Sequence, residues 1–440
     1  MPIDSTHPSY PYFKKQWDRC RDTTNGSDAV KAKGNKYLPR LGGQDNDDYN
    51  AYKQRALFFS VAGRSMVGLV GMATRRTPKV EASDDMIEKY LKLSDTGNAM
   101  SFREVLNESV EETLKTGRIG LLVDFPSSGG DAYISTYIAE SIINWEVDEF
   151  NDLISVVIFE SVLGQGKDKF EKVVTEQYRH LFIEDEQYKI QIYNKNKQLS
   201  GAAIVPMVSG QPLKFIPMVI LNSVGVSPAL VKPPLLDIVD VNLSQYISSA
   251  DLEHGRHFTG LPTPVVTGVS NETQLKIGSQ TAWMITNDKA KATFLEFTGQ
   301  GLASLEHAIS EKTSQMAQFS TRLMDTSSRG SEAAETVRLR HSAEAATLST
   351  IVASVESGLN IVYRWIAEFQ TLEFTSLILN KDFLDTKLTH QELKELTESL
   401  IKGAIDQETY FYNLERGELV HPDKTEFDSS LDLDEDTNND

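Results

Sequence analysis

From Leu348 to Phe369 the residues Leu348, Val352, Val355, Leu359, Val362, Ile366 and Phe369 recur in alternating steps of four and three. Such steps put all of them on one face of an α-helix, because 3.6 residues complete a turn. A helix running from Glu332 to Gln370 would be about 58 Å long at 1.5 Å per residue. Gly358 is its expected bend, since glycine weakens a helix interior. A stripe of this length calls for continuous cover, as core or subunit contact, and does not have the character of a cofactor box.

Around that helix the hydrophobic period changes several times. The first 30 or so residues are rich in Pro, Ser and Asn and read as an arm. A helical stretch is predicted from Asp47 to Ala73 and breaks before Pro78. Another covers residues 86–116, with Ser101 as a cap ahead of FREVLNESVEETLKTG and Gly117 as its stop. From Arg118 the pattern is that of strands: RIGLLVDF, YISTYIAE, LISVVIFES, KVVTEQYRHLFI, YKIQIYN and FIPMVIL. Pro233 and Pro234 suit the opening of a helix that carries Leu235, Val239, Leu243, Tyr246 and Ala250. A β insert, Leu261–Gly299, follows with PVVTGV, TAWMIT and TFLEF. The next helix carries Leu302, Leu305, Ile309, Met316, Phe319 and Leu323, interrupted by Lys312, and ends at the polar break Asp325–Ser331. Past the long helix come a strand-like LEFTSLIL, two short helices and an acidic tail poor in apolar residues, read as disordered. The class is α+β.

Composition narrows the function. The chain of 440 residues has 44 Lys and Arg against 63 Asp and Glu, a net charge of −19. Tight binding to nucleic acid draws on a basic excess, because neutralised phosphates supply most of the affinity. Any contact of this chain with DNA is therefore expected to be loose. One cysteine, Cys20, leaves no internal disulfide and fits a reducing compartment. Neither a membrane-spanning run of ~20 apolar residues nor a secretory signal is evident, which points to a soluble intracellular chain.

Four potential metal ligands, Asp251, Glu253, His254 and His257, crowd into seven residues. A zinc-protease motif needs histidines four apart with a glutamate directly after the first. Here they are three apart and Glu253 precedes them, and both continue the stripe of Val239, Leu243, Tyr246 and Ala250. They are expected on the packing face of a helix end. Gly63–Gly68 has one residue too many for a nucleophile elbow. Gly164-Gln-Gly-Lys-Asp168 lacks the spacing of a phosphate loop and reads as a turn between strands. The expectation is no enzyme, no metal and no cofactor; the alternative is a metal-dependent hydrolase centred on Glu253, His254 and His257.

The order of elements resembles the portal proteins of tailed bacteriophages. Several stretches resemble one subfamily of them, known only as a domain of unknown function: Lys36–Gln44 (KYLPRLGGQ), Gly117–Asp124 (GRIGLLVD), Ala139–Trp145 (AESIINW), Pro233–Ile238 (PPLLDI), Phe258–Pro264 (FTGLPTP), Glu296–Leu302 (EFTGQGL) and Gly403–Thr409 (GAIDQET). The likeness runs from about Lys36 to Val420. It implies a portal fold with an α/β wing, a two-helix stem, a small β-containing clip, a long bent wing helix and a helical crown. Segment by segment, it makes 1–30 the arm, 31–233 the first part of the wing, 234–258 and 301–325 the stem helices, and 259–300 the clip. Residues 326–331 become the tunnel loop, 332–385 the rest of the wing, 386–420 the crown and 421–440 the tail.

The resemblance further implies a ring, twelvefold in the virion, at one capsid vertex, through which double-stranded DNA is packaged and ejected. Its partners would be further copies of itself, the terminase large subunit, a head-tail adaptor, the major capsid or scaffold protein, and DNA held transiently without sequence specificity. It would reside in the virion and, during assembly, in the host cytoplasm, and would leave ATP hydrolysis to the terminase. Thr326, Ser327, Ser328, Arg329, Gly330 and Ser331 would face DNA. His254, Arg256 and His257 would form the stem–clip joint, and Asp251, Glu253, Glu306 and Glu311 would line the channel. Twelve chains would carry a charge of about −228, repelling phosphate. Another phage head protein, a minor capsid or scaffold component, is the remaining alternative.

Overall fold

The computed structural model describes residues 2–92, 100–126, 130–166, 168–259, 263–267, 291–295, 300–320, 334–381, 383, 390–417 and 419–420. Its contacts divide the chain into two units, Met1–Asp382 and Phe383–Asp440.

The first unit begins with helices α1 (Tyr10–Thr24), α2 (Ser27–Ala32), α3 (Asn46–Arg55) and α4 (Val61–Thr74), strand β1 (Lys79–Ala82) and the single turn α5 (Asp84–Met86). Helix α6 (Phe102–Thr116) then leads into β2 (Arg118–Asp124), β3 (Tyr133–Ile138), β4 (Ile142–Val147), β5 (Leu153–Gln165), β6 (Lys172–Glu184), β7 (Gln187–Asn194), the short pair β8 (Met207–Val208) and β9 (Gln211–Pro212), and β10 (Met218–Asn222). Helix α7 (Leu236–Thr259), strands β11 (Thr263–Thr267) and β12 (Lys291–Leu295), helices α8 (Gln300–Ser320) and α9 (Ala334–Gln370), and β13 (Phe374–Ile378) complete it. The second unit holds α10 (His390–Ile401) and α11 (Gln407–Arg416), with Thr397 Oγ1 and Tyr410 Oη 3.2 Å apart.

Among the described residues all strand pairings are antiparallel, so with its helices the chain is α+β. One sheet has the order β10-β2-β3, a second β4-β5-β6-β7, and β1 pairs with β13. Strand β2 is buried along its whole length, as its uninterrupted apolar run requires. The two larger sheets share a core in which Leu122, Ile142, Val156, Ile158, Leu181 and Ile220 meet. Helix α6 is set at both ends as its sequence predicts. Ser101 and Glu104 form a reciprocal capping box, and Gly117 takes a left-handed conformation at φ 74°.

Helix α9 packs on β2, β10, β13 and α6, and Leu348, Val352, Val355, Leu359, Val362 and Ile366 are all buried within the chain. The stripe is therefore core, and it gives no reason of its own for subunits to associate. Gly358 makes room for the Leu221 side chain of β10: a Cβ there would stand 2.2 Å from Leu221 Cδ2.

Two sequence expectations give way. The first 30 residues are not an extended arm. They form α1 and α2, with Trp17, Cys20 and Val30 buried and Arg21 tied to Glu112 and Glu140. The apolar residues of α1 are few but aromatic, and Tyr10, Phe13 and Trp17 share one face at steps of three and four. The helix expected from Asp47 to Ala73 is two helices. Residues 56–60 interrupt it, and the Asn242 side chain bonds the break and the start of α4, accepting from Ala62 N at 3.2 Å and donating to Phe59 O at 2.8 Å.

Candidate functional site

Helix α7 opens directly after Pro233 and Pro234, with Leu236 N bonded to Pro233 O and Lys232 paired to Asp237. It buries Val239, Leu243, Tyr246 and Ala250, the predicted stripe. Helix α8 runs antiparallel to it. Gln245 of α7 bonds Thr313 of α8 at 3.0 Å, whereas Arg256, three turns later, reaches back to Glu306 at 2.7 Å. The two backbones come close at Gly255, where a Cβ would sit 2.5 Å from Leu302 Cδ2. Lys312, which interrupts the apolar spacing of α8, bridges the helices by donating to Ser248 Oγ at 2.6 Å and Ser244 O at 3.2 Å. Strands β11 and β12 pair with each other between the two helices in sequence.

The candidate ligands of α7 are each engaged by a different neighbour. Asp251 accepts a 2.6 Å hydrogen bond from the Tyr52 hydroxyl of α3. Burial and the Asp251 carboxylate together raise the Tyr52 phenol above its ordinary range. Glu253 and Glu306 share Arg256, whose Nη1 and Nη2 donate to them at 2.9 and 2.7 Å and whose charged form these bonds favour. His254 stands edge-on to Tyr52 and Phe258, and its Nδ1 lies 3.3 Å from Arg55 Nη2. Burial first, then the Arg55 charge, hold its imidazole below the usual histidine range. Among the described residues no three His, Cys, Asp or Glu side chains gather in a group that could hold a metal ion.

His257 departs from expectation. It is exposed and touches Phe258 alone of the described aromatic rings. Among the described residues, α3 meets this end of α7 at Asp251 and His254, and α8 meets it at Gly255 and Arg256. Glu311 lies 3.6 Å from His307 Nδ1 on its own helix. Of the four acidic channel candidates, then, Asp251 turns to α3, Glu253 holds Arg256 within α7, Glu306 ties α8 to α7 through the same arginine, and Glu306 and Glu311 are exposed on α8. Tyr52 and Arg55 at the joint, and Asn242 and Gln245 about three turns earlier on α7, were missed in the sequence. Asn242 and Gln245 carried a signal, as polar residues beside Val239, Leu243 and Tyr246 in a buried stripe, which need partners. The tunnel-loop residues 326–331, most of the clip and the tail 421–440 lie outside the described residues.

A cavity of about 170 Å³ lies between α4, α6, α7 and α9, walled mainly by Leu69, Leu114, Leu235, Ile238, Leu348 and Ile351. Its polar groups are Ser65, Asp237 and Thr347, and Asp237 is already paired with Lys232.

Residues 234–370 match the family model for DUF4055, a domain of unknown function. The matched segment is about a third of the chain. It opens at the second proline before α7 and closes on the last residue of α9, so it spans the helix pair, the β11–β12 ribbon and the long helix. Two of the portal-like motifs, Phe258–Pro264 and Glu296–Leu302, lie inside it. No curated protein matches the chain. Among solved structures it is similar, at 11% identity and a TM-score of 0.41, to a chain from the neck of an empty GTA particle computed with C6 symmetry, over 89% of this chain and 98% of that one. A chain from the neck of the native GTA particle computed with C12 symmetry gives 11% identity and a TM-score of 0.41 over 80% and 89%. One from the virion of the native gene transfer agent particle gives 11% and 0.40 over 88% and 98%. Likeness at these scores carries no argument about function.

Proposed function

We propose that this chain is a phage portal protein, a subunit of a closed ring whose axial hole passes double-stranded DNA. The observation that carries the reading is the helix pair of the matched segment. Two antiparallel helices are clamped by Arg256, Lys312 and Gln245, joined in sequence through a β ribbon, and followed by a 37-residue helix that returns to the α/β core. This is the stem, clip and wing order that the sequence resembles. The outer side of α8 adds a physical argument. Ala303, Ser304, His307, Ser310, Glu311 and Ser314 are exposed there, and the one lysine of the helix, Lys312, is bonded to α7. A surface that shows small polar and acidic groups, with no exposed lysine or arginine, releases few counterions to a phosphate backbone and so does not hold DNA as it passes.

In this reading the ring docks a terminase at the clip for packaging and a head-tail adaptor afterwards, sits at a capsid vertex beside the capsid or scaffold protein, and catalyses nothing. His254 and Arg256 hold the clip end of the stem to α3 and α8. The test is light scattering over a range of salt and protein concentration. Twelve chains of 49.1 kDa correspond to a species of about 590 kDa. A folded chain that stays monomeric under every condition overturns the reading.

A further inference from the structure

Strands β5 and β6 reach beyond the rest of their sheet. Strand β4 pairs with β5 only as far as Ile158, and β7 pairs with β6 only from Gln177 onward. Past those limits Ser161–Gln165 and Lys172–Glu176 pair with each other alone, forming a two-stranded arm roughly 17 Å long at ~3.4 Å per residue. A two-stranded ribbon is marginal in water unless something packs on it. This one carries exposed apolar side chains on both faces: Leu163 opposite Val174 on one, Val162 and Val173 on the other. At its tip Phe170 is 89% exposed, fixed outward by Asp168, whose Oδ1 accepts from Phe170 N and Glu171 N.

The opposite end of the same sheet presents a phenylalanine in the same way and is acidic. In the β4–β5 turn, Asp148 Oδ1 accepts from Phe150 N and Asp152 N and holds Phe150 77% exposed. Around it stand Glu146, Glu149 and Asp152, and the adjacent β6–β7 turn adds Glu184, Asp185 and Glu186. Lys189 and Lys214 pair only with the second group. The arm, residues 161–176, has three lysines, Lys167, Lys169 and Lys172, against Asp168, Glu171 and Glu176; Glu176, at its base, is paired with Lys195, so the lysines outnumber the acids only toward the tip.

Resting on the portal reading, we infer that the β5–β6 arm of one subunit docks head-to-tail on the acidic β4–β5 turn of a second copy of this chain. The two ends lie about 44 Å apart along the 13 residues of β5, so one copy cannot satisfy itself. A contact between two different patches repeats around a circle and generates a closed ring when the rotation allows. Apolar cover on both faces of the arm comes from insertion between elements of the neighbour, and the lysines set its direction.

The experiment is a cysteine pair, Phe150→Cys with Phe170→Cys, in the full chain under mild oxidation, with wild-type rings imaged in parallel. Both positions are exposed, so folding is retained, and Cys20 is buried and does not interfere. The expected result is a ladder of disulfide-linked species extending past the dimer on a non-reducing gel, while each single variant gives at most a dimer. Lys169→Glu with Lys172→Glu should cut the ladder at least tenfold, and adding Glu149→Lys with Asp152→Lys should restore it. Absence of the ladder, or dimers at equal yield from one single variant, overturns the contact. Rings without a ladder remove the contact and leave the portal reading; a ladder without closed rings does the reverse; neither removes both.

Discussion

Replacing Gly358 by alanine separates two accounts of the long helix. As a bend or weak point in α9, Gly358→Ala would stabilise the protein by about 1 kcal/mol through helix propensity alone. The structure requires the opposite sign. An added Cβ would meet Leu221 Cδ2 at 2.2 Å and its Cδ1 and Cγ at 3.0 Å, and Leu221 is fully buried on β10. Three atoms of one enclosed side chain cannot all move aside, so the strand has to shift. Overpacking of this kind costs typically 1–3 kcal/mol. With the upper part of that range set against the propensity gain, the variant should lose about 2 kcal/mol. Urea denaturation followed by circular dichroism measures it. Leu221→Ala alone should cost about 2–5 kcal/mol by leaving a cavity. The double variant should be more stable than the two losses added, with a coupling of roughly 1–3 kcal/mol, because the new methyl occupies the vacated space. A Gly358→Ala protein as stable as wild type, or strict additivity in the pair, would refute the close-approach argument.

Other outcomes follow from the ionic and hydrogen-bonded groups. Arg21→Met takes the two-pronged partner from the buried Glu112 carboxylate, leaving it Lys115 alone, and removes the partner of Glu140; a loss of about 3 kcal/mol, the low end for a broken buried pair, is expected in the same urea assay. At the stem, Arg256→Gln should leave the melting temperature unchanged because its ion pairs are solvent-exposed, whereas Tyr52→Phe should cost about 1–3 kcal/mol by taking away the donor to Asp251. His7, His180 and His254 are all held below the ordinary histidine value of 6.5, chiefly by burial, so their contribution is whole above that value and falls as the pH drops toward their folded values. Wild type should therefore lose urea resistance between pH 7.5 and 5.5 relative to a His7→Gln, His180→Gln, His254→Gln variant. Taking the difference between the two proteins cancels groups such as Glu108, whose raised pKa acts with the opposite sign.

The sequence showed most clearly what depends on neighbours in the chain. The stripe of α9, the capping box at Ser101 with its glycine stop, and the strands that are long apolar runs all follow from local spacing, and all are present. Helix α1 was obscured because its burial rests on a few aromatics between proline- and asparagine-containing flanks. The break between α3 and α4 depends on Asn242, more than 180 residues away. The candidate site shows the same division. The helix pair was legible from the stripes of Val239–Ala250 and Leu302–Met316. Its electrostatics were not, because Asp251 finds Tyr52 across 199 positions and Glu306 finds Arg256 across 50. Counting carboxylates along α7 and α8 overstated the charge those helices present, since Asp251 turns inward and Glu253 and Glu306 are clamped.

The most direct measurement of the central claim is end-on electron microscopy of the purified full-length chain in negative stain. The account expects closed rings of uniform subunit number with a hole on the axis. Monomers, open filaments or closed particles without an axial hole, from protein shown to be folded, would contradict it.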